Sequence, residues 1–225
     1  MKIKNLKTYF AFLWIFLTTN LCTAQTENYF KDYTFESIQV QADSIHQFVV
    51  KAMSEKTENK DKWERKFFCA FPSSYAVMDS IFGFNEKPAP LYHSKIPRKV
   101  KSYVNSDSHI GFFSQLTSIP ANIYYNKYVN ICIDGYWQAD KIRAGFGFGL
   151  HLFYNPKPSC IALAKKSDSE IKSVFRFIFD GPHPGNKQNR HFYKILLPVV
   201  KAENERLSKL LTVAFNKLMK ESNQY

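Results

Sequence analysis

No apolar run in this sequence reaches the roughly eighteen residues that a membrane-crossing helix needs. There is no Cys-x-x-Cys pair, which argues against a zinc knuckle or a thioredoxin-like redox centre. The six histidines never fall into His-x-x-x-His or His-Glu-x-x-His spacing, the helical arrangements that aim two imidazoles at one metal. A serine in a Gly-x-Ser-x-Gly elbow is missing. The glycines from Gly145 to Gly149 are spaced by phenylalanine with no Lys-Ser/Thr after them, so they do not form a phosphate-cradling loop. These absences speak against the common metalloenzyme, serine-hydrolase and nucleotide-binding classes, and no cofactor or metal is expected. Internal repeats, low-complexity tracts and domain linkers are also missing.

What the chain does have begins at its N-terminus. Lys2, Lys4 and Lys7 precede the nine-residue apolar run Tyr9–Leu17, and polar residues then lead to Cys22-Thr23-Ala24. A basic stretch, a short apolar core and a small-x-small site form the layout of a secretory signal peptide, with cleavage expected before Gln25. A lipid-modified Cys22 is the alternative, although Leu21 is bulky where lipoprotein processing wants a small residue. Residues 1–24 are therefore read as a signal peptide and residues 25–225 as a single domain, periplasmic or extracellular. Removing the leader takes away three lysines and no acid, so a formal charge of +12 becomes +9. Outside a cell, such a charge points to an acidic protein, an anionic glycan or lipid head groups, not to nucleic acid.

Three cysteines remain, Cys69, Cys132 and Cys160. An odd number in an oxidising compartment leaves at least one thiol unpaired within the chain. Their apolar neighbours mark them as small core residues.

Hydrophobic periodicity predicts an all-α domain. One helix spans 35–54, with Ile38, Ala42, Ile45, Val49 and Ala52 on one stripe. A solvated link at 55–60 and a second helix at 61–71 follow. A further helix carries Met78, Ile81 and Phe82 to a stop at Gly83. Beyond it come a loop at 85–90, a short basic helix at 96–104 and a short helix holding Ile110 and Phe113. Two stretches are ambiguous. Residues 128–133 and 146–152 alternate apolar and small residues as strands do, yet helix-favouring Gln138–Ala144 leads into the second. We expect helix at both, with Gly145 and Gly149 one turn apart to admit a close neighbour. A loop is expected at Pro156 and Pro158. Ser167 and Glu170 then have capping-box spacing ahead of Ile171, Val174, Phe175 and Ile178. After the Asp180–Gly185 loop, Leu207, Leu211, Ala214 and Leu218 form the stripe of the closing helix.

Two stretches carry the candidate site. In the first, Asp134 and Asp140 bracket Tyr136 and Trp137, so acids and sugar-stacking aromatics share one short segment. The second holds Asp180, His183 and Arg190 around a Gly-Pro loop. Tyr, Trp and Arg dominate binding hot spots. The expected function is accordingly an exported, non-enzymatic binding protein of the bacterial envelope, of the inhibitor or immunity type, whose partner is another protein. The alternatives are an envelope glycan hydrolase using a carboxylate near Trp137, and a binder of anionic lipid or polysaccharide. For the latter, Lys95, Arg98, Lys99 and Lys101, with Lys165, Lys166, Lys187 and Arg190, supply the basic face. His183, His191 and Asp180 have the elements of a cation site, but turn histidines and N-cap aspartates are common without a ligand.

Overall fold

The computed structural model describes residues 29–54, 57–83, 106–138, 142 and 144–222. The expected signal peptide, the loop at 85–90, the basic helix at 96–104 and Asp140 lie outside the described residues.

The chain is all-α. Its helices are α1 (Ile38–Ser54), α2 (Thr57–Ala70), α3 (Tyr75–Phe82), α4 (Ser106–Phe113), α5 (Ala121–Cys132), α6 (Phe148–Tyr154), α7 (Pro156–Ala164), α8 (Asp168–Phe179), α9 (Lys187–Glu203) and α10 (Glu205–Ser222). Among the described residues there is no strand, only an isolated antiparallel bridge between Gln138 and Ile142. None of these helices is long and apolar enough to cross a membrane.

A single apolar cluster runs from Ala42 to Met219. Helix α1 lies along α2, while α8 and α9 both pack on α10. Helix α5 is the hub and touches α3, α6, α7 and α8. That position explains why its sequence looked like a strand. Tyr124, Tyr125, Tyr128, Val129, Ile131 and Cys132 are buried and the narrow polar stripe of Asn122, Asn126 and Asn130 faces outward, so the apolar face is too broad to read as one stripe. The ring of Tyr128 is enclosed by Phe113, Tyr124, Phe146, Phe148 and His151.

The predicted stripe of α1 is buried at Ala42, Ile45, Val49 and Ala52. Ser74 caps α3 by accepting the N–H of Val77, and Gly83 ends it. The backbone of Gly83 is extended, not left-handed. Glycine is needed there for space, because a Cβ would lie 2.3 Å from Asp79 Oδ1. The Ser167–Glu170 capping box is present in both directions, and α8 buries Ile171, Val174, Phe175 and Ile178. All three cysteines are free and buried.

Several expectations need correction. The link at 55–60 is shorter than expected, since α2 already begins at Thr57. The buried apolar residues of α2 are Phe67, Phe68, Cys69 and Ala70, in its last turn. Pro156 and Pro158 do not form a loop. Pro156 opens α7 at the first helical position, where the missing N–H costs nothing. Residues 144–147 form a 3-10 turn with left-handed Gly145 (φ 57°), Phe146 (φ 46°) and Gly147 (φ 88°), so regular helix starts only at Phe148. The strand alternative for 128–133 and 146–152 also fails. Phe146 and Phe148 are buried by the turn, and Leu152 is buried one helical turn beyond Phe148, while Leu150 is exposed. Finally, the segment after Gly185 is two helices. Asn204, in an extended conformation, ends α9 and caps α10 by accepting the N–H of Leu207.

The close approach expected at Gly145 and Gly149 is real. A Cβ at Gly145 would sit 2.9 Å from Ile178 Cα, and one at Gly149 2.9 Å from both Ile178 and Phe192. Both glycines let α8 settle directly on the chain.

Candidate functional site

A cleft of about 500 Å³ opens between the start of α3, the end of α5 and the start of α8. Ser74, Tyr75, Ala76 and Asp79 form one wall. Asn130, Ile133, Asp134 and Tyr136 form the second, and Lys166 and Glu170 close the third.

The second wall is a turn built in five residues. Helix α5 ends at Cys132, and Asp134 takes a left-handed conformation (φ 55°) that aspartate tolerates better than most residues. Its N–H is donated to Ser173 Oγ on α8 at 3.1 Å. Gly135 then crosses the ring of Phe177 so closely that a Cβ would lie 2.4 Å from it. Tyr136 packs against Tyr75 with ring centroids 4.7 Å apart and the ring planes tilted by 55°. Trp137 donates its N–H to Asp180 Oδ2 at 2.7 Å.

Below the turn lies Asp79, 1% exposed. It accepts hydrogen bonds from Gln138 Nε2 and, at 3.2 Å, from Tyr136 OH. Tyr75 OH donates back to the carbonyl of Tyr136, and burial, ahead of neighbouring Tyr136 and Asp79, raises its pKa. Three further hydrogen bonds thus fasten the turn to α3. On the other side, Asp180 ends α8. Burial raises its pKa, and the Trp137 N–H and the nearby Arg176 charge oppose that rise. Glu170 accepts from the N–H and hydroxyl of Ser167, which lowers its pKa.

The predicted residues are distributed as follows. Asp134 and Tyr136 line the cleft, and half-buried Trp137 joins them to Asp180, which lies 43 positions further along. The two stretches singled out in the sequence therefore meet. His183 and Arg190 are exposed and do not line the cleft; Arg190 Nε donates to Gly185 O, and the His183 carbonyl accepts from Asn186. Among the described residues, no three His, Cys, Asp or Glu side chains gather as they would to hold a metal. Sequence reading missed Tyr75, Asp79, Gln138 and Asn130. One signal was available, since Asp79 interrupts the apolar run Val77–Phe82, and a buried acid must find donors.

Comparison with protein-family models, curated proteins and solved structures gave no significant match.

Proposed function

We propose that the protein is an exported, non-enzymatic binding protein of the bacterial envelope. In this reading, it is an inhibitor or immunity-type protein that recognises a toxin or envelope enzyme through the Asp134–Trp137 turn and the Asp180–Arg190 loop. One observation carries the reading: the acids around the cleft already serve as acceptors. Asp79 holds Gln138 and Tyr136, Asp180 holds the Trp137 backbone, and Glu170 holds Ser167. Among the described residues, that leaves Asp134 as the cleft acid whose carboxylate makes no hydrogen bond. Glycoside hydrolysis needs two acting carboxyl groups across a cleft. A rigid turn presenting aromatic side chains instead suits a recognition surface. Export is supported by the basic, apolar and small-residue layout of residues 1–24.

The test is a pull-down of the chain beginning at Gln25 from envelope extract, followed by calorimetry with the captured protein. Trp137→Ala and Arg190→Ala should each weaken binding by roughly 1 kcal/mol or more. Their melting temperatures should stay near that of the parent, because the bonds from the Trp137 N–H and the Gly185 carbonyl are not core packing. Glycan turnover by the parent that disappears in Asp134→Asn or Asp140→Asn would overturn the proposal in favour of a hydrolase.

A further inference from the structure

Helices α1 and α2 carry an arrangement that the cleft does not use. The indole of Trp63 on α2 is surrounded by three ammonium groups. Lys51 Nζ lies 4.4 Å from its ring centroid, Lys66 Nζ 4.7 Å and Lys62 Nζ 5.5 Å. Each contact is a favourable cation–π interaction. Together, however, they crowd three like charges around one ring. Among the described residues, none of the three lysines forms an ion pair.

Among the described residues, the nearby acids are turned elsewhere. Glu64 is buried and accepts from Thr117 and Ser118, and Asp32 pairs with Lys127. Asp61 lies on the opposite side of α2 from Trp63 by the 100° advance per residue. The indole continues into an aromatic strip. Phe48 is 6.0 Å from Trp63 with Lys66 above it, and Tyr33 is 6.4 Å from Phe48. Arg65 sits 4.1 Å over Tyr29, which is 57% exposed.

We infer that this face docks on an anionic lipid bilayer, with Lys51, Lys62 and Lys66 on the head groups and Trp63 at the interfacial level. Basic residues interleaved with Trp and Tyr have the composition of a membrane–water interface, where an amphipathic ring and a long cationic stem are both satisfied. The aromatic rings favour a bilayer over a soluble polyanion: Tyr29 and Tyr33 are 57% and 37% exposed beside the cations, and a polyanion offers no apolar layer to receive them. The strip is independent of the cleft, so either reading can fail alone.

The test is co-sedimentation of the full chain, and of the chain beginning at Gln25, with vesicles of phosphatidylcholine alone or mixed with phosphatidylglycerol. Both chains should partition onto the mixed vesicles, the shorter one should ignore neutral vesicles, and its binding should fall as salt rises. At about 1 kcal/mol per basic residue near an anionic surface, the triple variant Lys51→Gln/Lys62→Gln/Lys66→Gln should bind roughly a hundredfold more weakly. Lys62→Gln alone should bind about fivefold more weakly. Lys194→Gln/Lys201→Gln on α9 should bind like the parent. Four outcomes would overturn the inference. These are equal binding of the shorter chain to neutral vesicles, an equal loss in the α9 variant, an unchanged triple variant, and lysine-dependent binding of inorganic polyphosphate without vesicle binding.

Discussion

Gly145, Gly149 and Gly111 allow a direct check of how α8 sits on the centre of the molecule. At Gly145, alanine meets two obstacles. Its φ of +57° is left-handed, which costs a residue with a Cβ roughly 1–2 kcal/mol. The added methyl would also lie 2.9 Å from Ile178 Cα, a backbone atom of α8 that cannot rotate away. Overpacking of this kind costs about 1–3 kcal/mol, so Gly145→Ala should destabilise by about 3 kcal/mol. For a domain of this size, that corresponds to roughly 6–12 °C in Tm. Gly149→Ala meets side-chain atoms of Ile178 and Phe192 at 2.9 Å, and these can yield in part. Alanine also gains about 1 kcal/mol of helix propensity over glycine, so the net cost should be about 0–2 kcal/mol. Gly111 in α4 has nothing within 4 Å, and Gly111→Ala should raise stability by about 0.5–1 kcal/mol. Thermal melts followed by far-UV circular dichroism should therefore rank Gly145→Ala lowest, then Gly149→Ala, the parent and Gly111→Ala. A Gly145→Ala variant melting with the parent or above it would refute the described seating of α8 on the 144–147 turn.

Acid should destabilise the fold through His109. Burial, with His46 beside it, holds the His109 pKa down to about 4, against about 6.5 when unfolded. The unfolded chain thus binds the proton first. The contribution is complete above pH 6.5 and is lost as pH falls towards 4, by about 3 kcal/mol in total. Urea unfolding at pH 7 and pH 4 should show that difference shrink in His109→Gln, and an equal acid loss in both proteins would refute it. Mass spectrometry of the protein from its native host should find a chain starting at Gln25. An intact Met1 chain would overturn the export proposal, whereas an acylated Cys22 would keep export and add a membrane anchor.

Local sequence determines what could be read in advance. The α1 stripe, the Ser167 capping box and the α10 stripe depend on residues within a few turns, and each was legible. Helix α5 was ambiguous because its buried face is broad: Asn122, Asn126 and Asn130 leave only a narrow polar stripe, while Val129, Ile131 and Ile133 alternate as a strand would. The 144–147 turn was misread because left-handed Phe146 is set by distant partners: its carbonyl accepts from Tyr128 OH at 2.6 Å. Pro156 reads as a breaker in isolation, and only the end of α6 two residues earlier makes it a helix start. The same distinction governs the site. Its aromatic and acidic residues were visible in the Asp134–Asp140 stretch, whereas Tyr75 and Asp79 belong to it only because α3 folds against the turn.

The proposed recognition role would draw on a turn that is ordered before any partner docks. Residues 134–138 have no regular secondary structure, yet five tertiary hydrogen bonds hold them. Tyr75 binds the Tyr136 carbonyl, and Tyr136 and Gln138 both bind Asp79. Asp134 binds Ser173, and Trp137 binds Asp180. Gly135 removes the remaining freedom by resting on Phe177, where no other side chain fits. A loop ordered in advance gives up little conformational entropy when a partner docks, and a partner gains affinity by that amount. Asp79 and Asp180 are central to this economy. Asp79 fixes the side chains of Tyr136 and Gln138 from below, and Asp180 fixes the Trp137 backbone from the side of α8.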